Sequence, residues 1–256
     1  MPVDKLAQAE PLTTVWWMTL APVYMSGTWP QIFANVDGDL NRVWGDSGGW
    51  HQEDTGIDLE PGAEISAVNT GGVNAEVYTT ISGVMHRITN PGSGWGIQSS
   101  GVWIGNGSLS AVNVNGTPQV MVNIGGYLHQ LKPGPSSWIL GNTGVYIGSS
   151  SVSAVYQGGN YPQVFVNLGG VMHQIKAGTS SWGIYSSGLN VGASTTLSAV
   201  NVGTPMARLA ANTGGVHHVI TAGTSAWQTQ SSGVPISGAR IYAVVVEGVL
   251  QVISLE

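Results

Sequence analysis

At 256 residues, with 42% hydrophobic side chains, 38 glycines and only 8% charged residues, the chain has the composition of a packed globular protein and not of a disordered one. The formal net charge is −6, and the seven Lys and Arg residues stand singly. Neither a phosphate-tracking groove nor a polybasic membrane patch can be assembled from them, so nucleic acid and membrane insertion are excluded as expected partners.

The first residues carry Asp4 and Glu10 and lack the uninterrupted apolar core of a signal peptide, and nowhere do eighteen apolar residues run together. A soluble protein without a visible export signal is expected. Cysteine is absent, which removes disulfides and cysteine zinc sites and leaves the compartment open.

From about residue 21 the chain repeats itself. The tripeptide SAV begins at Ser66, Ser110, Ser153 and Ser198, with relatives at Ala21 (APV) and Tyr242 (YAV), in steps of 45, 44, 43, 45 and 44 residues. Self-similarity at this period is the signature of stacked supersecondary units. Nine or ten residues after each start, a polar residue opens an alternating apolar run: Gln31, Glu76, Gln119, Gln163, Arg208 and Gln251. The alternation is that of a strand.

Ten residues further on stand Asn41, His86, His129, His173 and His218, after turns such as Gly169-Gly170 that predict hairpins. Nine residues beyond each of these comes a tryptophan: Trp50, Trp95, Trp138, Trp182 and Trp227. A fourth short strand then leads through SSG-type turns at Gly101, Gly188 and Gly233 to the next start.

Each unit is therefore a four-stranded meander too small to bury its own faces, and such units pack radially as propeller blades. The expected fold is all-β: one β-propeller domain over residues 1–256, with six four-stranded blades. The last blade, starting near Tyr242, would be completed by residues 1–20, including the strand-like Thr13 to Met18. That pairing of the two termini closes the ring and removes a sheet edge. Five blades with an added terminal hairpin is the alternative.

The unit SAVYQGGNYPQVFVNLGGVMHQIKAGTSSWGIYSSG, residues 153–188, resembles the blade of the Aleuria-type fucose-binding propeller lectins, and is similar also to the Photorhabdus-type propeller lectins. The resemblance implies sugar sites between adjacent blades, built in the Aleuria type from an arginine on the second strand, a glutamate on the third and stacking tryptophans. Carried onto this chain, the arginine position falls on Gln31, Glu76, Gln119, Gln163 and Arg208. The glutamate position falls on Asn41, His86, His129, His173 and His218, and the tryptophan column matches directly. A Gln, His and Trp set in each blade would supply an amide, ring nitrogens and an aromatic plate for vicinal hydroxyls. The blades of Gln119, His129, Trp138 and of Gln163, His173, Trp182 are the most alike and are expected to bind best.

Other chemistry finds little support. The histidines come one per blade, so symmetry spreads them around a ring; no metal or other cofactor is expected. His217 and His218, adjacent on a strand, must point to opposite faces. Asn35, Asp37, Asp39 and Asn41 form a faint calcium-loop pattern without the distal glutamate, better read as a solvated hairpin turn. Acids concentrate at Asp37, Asp39, Asp46, Glu53, Asp54, Asp58, Glu60 and Glu64, the third and fourth repeats have none, and no G-x-S-x-G elbow occurs. The reading is a non-enzymatic, multivalent lectin whose partners are glycans, with a protein-interaction scaffold or toxin-associated module as the alternative. Sugar identity and oligomeric state are not written in the sequence.

Overall fold

The computed structural model describes residues 18–25, 29–72, 74–202, 207–223, 226–236 and 240–254. Their regular structure is entirely β. Five antiparallel four-stranded sheets follow one another as blades: β1–β4 (Met18–Tyr24, Pro30–Val36, Asp39–Asp46, Gly49–Asp58), β5–β8 (Ile65–Val68, Glu76–Ile81, Val84–Thr89, Gly96–Trp103), β9–β12 (Leu109–Val114, Thr117–Ile124, Tyr127–Pro133, Trp138–Tyr146), β13–β16 (Ser153–Val155, Gln163–Leu168, Val171–Ala177, Trp182–Asn190) and β17–β20 (Leu197–Val200, Arg208–Thr213, Val216–Ala222, Trp227–Pro235). A sixth sheet holds two strands, β21 (Ile241–Val246) and β22 (Val249–Ser254).

Met18 to Leu20, expected in the last blade, instead open β1 and pair with Val36, Asn35 and Ala34 of the first sheet. The expected strand from Thr13 to Trp17 lies outside the described residues. Among the described residues no helix is long and apolar enough to cross a membrane.

The repeated SAV is explained by the centre of the ring. Inner strands β1, β5, β9, β13, β17 and β21 surround an axial cavity of about 210 Å³, and β1 packs against β21. The Oγ of Ser66, Ser110, Ser153 and Ser198 accepts the backbone N–H of Ala111, Ala154, Ala199 and Ala243, respectively, one blade on. Each bond satisfies an inner-strand N–H that faces the preceding blade and not its own sheet. Where Tyr242 replaces the serine, the next blade in the ring offers Pro22, which has no N–H to satisfy.

Two-residue turns join the second and third strands. Asp37-Gly38, Ser82-Gly83, Gly125-Gly126, Gly169-Gly170 and Gly214-Gly215, like Glu247-Gly248 between the first and second strands of the sixth sheet, all have positive φ at both positions, the type I′ geometry that matches strand twist. The hairpin expected at Asp37-Gly38 is present, yet Asn35 beside it is fully buried and not solvated. Its Oδ1 accepts from Gly38 N–H while its Nδ2 donates to the carbonyls of Glu60 and Ala63, stapling the hairpin to the chain that leaves the blade. Asn123 and Asn167 do the same for Gly148, Ser150, Gly192 and Thr195.

In the second blade the staple is Thr80, too short to span the gap. Its Oγ1 is buried without a partner beside a cavity of about 270 Å³ that reaches Asn106 and Gly107. Thr80→Asn is expected to restore the staple and raise stability by roughly 1 kcal/mol, the ordinary net worth of such bonds. A rise in the urea unfolding midpoint at unchanged m-value checks it; a fall would show that the Asn cannot reach the connection.

The SSG segments expected as turns lie inside the outer strands. Gly101, Gly188 and Gly233, with Gly56 and Gly144 in the other two blades, sit at positive φ in β-bulges where two extra residues of the fourth strand oppose the third. The preceding hydroxyl, as in Ser187, donates back to the third strand at Met172 O and accepts from the N–H of Leu189. The bulge thus has its own hydrogen bonds and ends no strand.

Candidate functional site: the clefts between blades

Which face of a blade a side chain takes is fixed by strand alternation and by the hairpin register. In the fourth blade Phe165 pairs with Gln174 and Val166 with His173. Gln163, Phe165 and Gln174 therefore share one face; Val164, Val166, His173, Ile175 and Trp182 share the other. The first face turns toward the fifth blade, where Phe165 and Met172 pack with Leu209, Ile220 and Trp227. The second turns toward the third blade, where Val164, Val166, Ile175 and Trp182 pack with Met121 and Leu128. The same arrangement recurs at the other blade junctions.

The Gln, His and Trp of one blade consequently do not meet. Gln163 is on the opposite face from His173 and Trp182. His173 and Trp182 share a face but stand four residues apart along the strand, about 13 Å. His86, His129 and His173 lie near the hairpin end, each with Nδ1 within 2.9–3.0 Å of the carbonyl two residues before it. Asn41 makes the equivalent bond to Asp39 O, and His218 contacts Thr229 Oγ1. His217 faces away from His218, its pKa held down by burial and then by the neighbouring His218. Among the described residues no group of three potential metal ligands occurs.

What converges is the polar residue of one blade and the tryptophan of the next. Phe33 meets Trp95, Tyr78 meets Trp138 and Phe165 meets Trp227 edge to face, with centroids 5.4–5.7 Å apart. On the same faces lie the column residues Gln31, Glu76, Gln119 and Gln163, while Arg208 faces the two-stranded sixth sheet, which carries no tryptophan among the described residues. For Glu76, Gln119 and Gln163 the partner is the residue that follows the histidine column, a position the resemblance did not assign. Gln130 donates to Gln119 and Gln174 to Gln163, both at 2.6 Å. Arg87 grips both oxygens of Glu76 at 2.9 and 2.6 Å.

Glu76 also accepts from Tyr78 Oη and Thr70 Oγ1. Burial opposes its charge, but the bonds from Arg87, Tyr78 and Thr70 outweigh that and hold its carboxyl below the usual glutamate range. Burial, then the Glu76 carboxylate, push the Tyr78 phenol well up.

The cleft between the first and second blades differs again. Arg42 pairs with Glu53 at 3.3 Å, its guanidinium lies 4.4 Å from the Trp44 ring centroid and 5.9 Å from that of Trp95, and Trp95 Nε1 donates to Glu53 at 3.1 Å. An arginine, a glutamate and two indoles are thus assembled, and of these only Trp95 stands at a position the resemblance assigned. Trp50, the first of the tryptophan column, instead packs edge to face on Trp29 at 5.2 Å. Glu53 is not joined by Asp37 or Asp39: these belong to the hairpin at the far end of the strand, Asp39 being paired with Asp58.

No protein-family model matches the chain, and no curated protein matches it in sequence. Solved structures match it in fold. The fungal lectin of Aleuria aurantia, described as a six-bladed β-propeller with a novel fucose recognition mode, superimposes with a TM-score of 0.69 at 15% identity over 92% of this chain and 90% of that one. SapL1 lectin, in complex with α-methyl fucoside, gives 0.67 at 15% identity over 84% and 79%, and AofleA from Arthrobotrys oligospora 0.65 at 16% over 85% and 73%. The chain has the propeller fold of these lectins.

Proposed function

We propose that the chain is a carbohydrate-binding protein, a lectin without catalytic activity, that takes sugars in shallow clefts between adjacent blades. The observation that carries this reading is the Arg42–Glu53 pair held between Trp44 and Trp95. A guanidinium donates and a carboxylate accepts, so together they match one vicinal diol, while an indole face offers a platform for the C–H side of a sugar ring. The Glu76–Arg87 and the two Gln–Gln clefts repeat the theme with other polar groups. Each would bind weakly, and several on one molecule would bind a multivalent surface through avidity. Fucosides are the first sugars to try, because Aleuria aurantia lectin and SapL1 take them.

Binding to a glycan array, followed by calorimetry with the sugar so identified, tests the reading. Arg42→Ala is expected to weaken that affinity about 10- to 100-fold, the loss of one charge-assisted hydrogen-bonding group, in a protein that melts as a single cooperative unit. Silence across the array would overturn the proposal. It would favour the alternative of a protein-interaction scaffold, for which the exposed Trp103, Tyr127 and Tyr146 at the hairpin ends of the second and third blades are the supporting observation.

A further inference from the structure

Resting on that reading, we infer that the clefts are of two kinds, and that those after the third, fourth and fifth blades bind anionic sugars, saccharides bearing a carboxylate or a sulfate ester. Residues 77–246 contain no Asp or Glu, yet they hold Arg87, Lys132, Lys176, Arg208 and Arg240. Two of these cations are neutralised by acids that precede the stretch, Arg87 by Glu76 and Arg240 by Glu64. Lys132, Lys176 and Arg208 have no carboxylate within ion-pair distance among the described residues.

These three cations stand in one equivalent row, the lysines on the third strand and Arg208 on the second. Arg208 pairs with Thr221, and the registers Val164 with Ile175 and Val120 with Leu131 put Gln163 beside Lys176 and Gln119 beside Lys132. Each cation thus stands in the same row of its blade, on the face turned toward the following blade. In the fourth blade Lys176 Nζ lies 5.7 Å from the centroid of Tyr185, which is 55% exposed, with the Gln163–Gln174 pair beside it and Trp227 on the facing blade. One cleft therefore offers a free ammonium, an amide pair and two aromatic rings.

A lone cation changes what the cleft selects. In the first two clefts each guanidinium already has a carboxylate, so a neutral sugar must share both. In the later three the charge is unanswered, and an anionic group on the ligand supplies the missing partner through charge-assisted bonds. The overall charge of −6 does not cancel this. Every described acid except Glu247 falls between Asp37 and Glu76, in the first two blades, and at physiological salt fields fade over about 8 Å.

The test is an array of matched pairs: sialylated, uronate-bearing and sulfated glycans printed beside their uncharged parents. It is run at 50 and 300 mM NaCl on the intact chain and on the triple variant Lys132→Met, Lys176→Met, Arg208→Gln. Anionic members are expected to bind at least about tenfold better than their parents at low salt, to lose most of that margin at high salt, and to lose it in the variant, with circular dichroism confirming its fold. The carboxylate and sulfate arms separate the two sources of charge. Equal binding of charged and uncharged members, or a preference that survives the triple variant, overturns the inference while leaving carbohydrate binding intact. Absence of binding to every glycan overturns both.

Discussion

Glu76→Ala is expected to destabilise the protein by about 2–3 kcal/mol and to loosen the cleft between the second and third blades. Glu76 accepts four hydrogen bonds, two from Arg87 and one each from Tyr78 and Thr70. Removing it leaves a guanidinium and a buried phenol without their acceptor. Breaking a fully buried pair costs about 3–5 kcal/mol. The figure here is lower because the Arg87 side chain is 35% exposed and water can answer part of its charge.

The same carboxylate gives a pH signature. Its folded pKa lies below the unfolded value near 4.5, so the stability it contributes is fully present above that value and is lost as pH falls through the depressed folded pKa. Urea titrations between pH 7 and pH 3 should show that acid-side loss in the parent and a shallower one in Glu76→Gln. Identical pH profiles would mean that Glu76 is not held ionised by its partners.

The repeat was legible because a ring of blades needs particular residues at particular places. SAV recurs since a serine hydroxyl must answer the next blade's N–H, and Gly-Gly or Asp-Gly recurs since a type I′ turn needs positive φ twice. The faces were legible too, but through parity and not through residue type. Across a two-residue hairpin the paired positions have an odd sum, so residues an odd number apart share a face and residues an even number apart do not. Gln163 and His173, ten apart, had to take opposite faces; Gln163 and Gln174, or Arg42 and Glu53, eleven apart, had to share one. Serine and glycine are turn residues, so the SSG segments predict turns, and only the hydrogen bond from Ser187 to Met172 O reveals a continuous strand. No pattern in the sequence shows that Trp95 serves the Arg42–Glu53 pair of the preceding blade, since that contact belongs to the packing of two sheets.

Phe165→Ala should have the largest effect on stability. Phe165 is wholly buried at the junction of the fourth and fifth blades, among Val155, Met172 and Leu209, with its ring 5.4 Å from that of Trp227. Truncation removes the transfer free energy of the ring and leaves a cavity that two hydrogen-bonded sheets cannot close, a loss of about 3–5 kcal/mol. For a chain of this size that is roughly 6–10 °C in melting temperature, read by calorimetry. Trp227 would lose the ring that fixes its tilt, so affinity at this cleft should fall although no residue offered to the sugar has changed. Phe165→Leu, which refills most of the volume without an aromatic edge, should recover most of the melting temperature and less of the affinity. Equal recovery of both would assign Phe165 to packing alone, and Trp227 would then owe its orientation to Leu209 and Ile220 in its own blade.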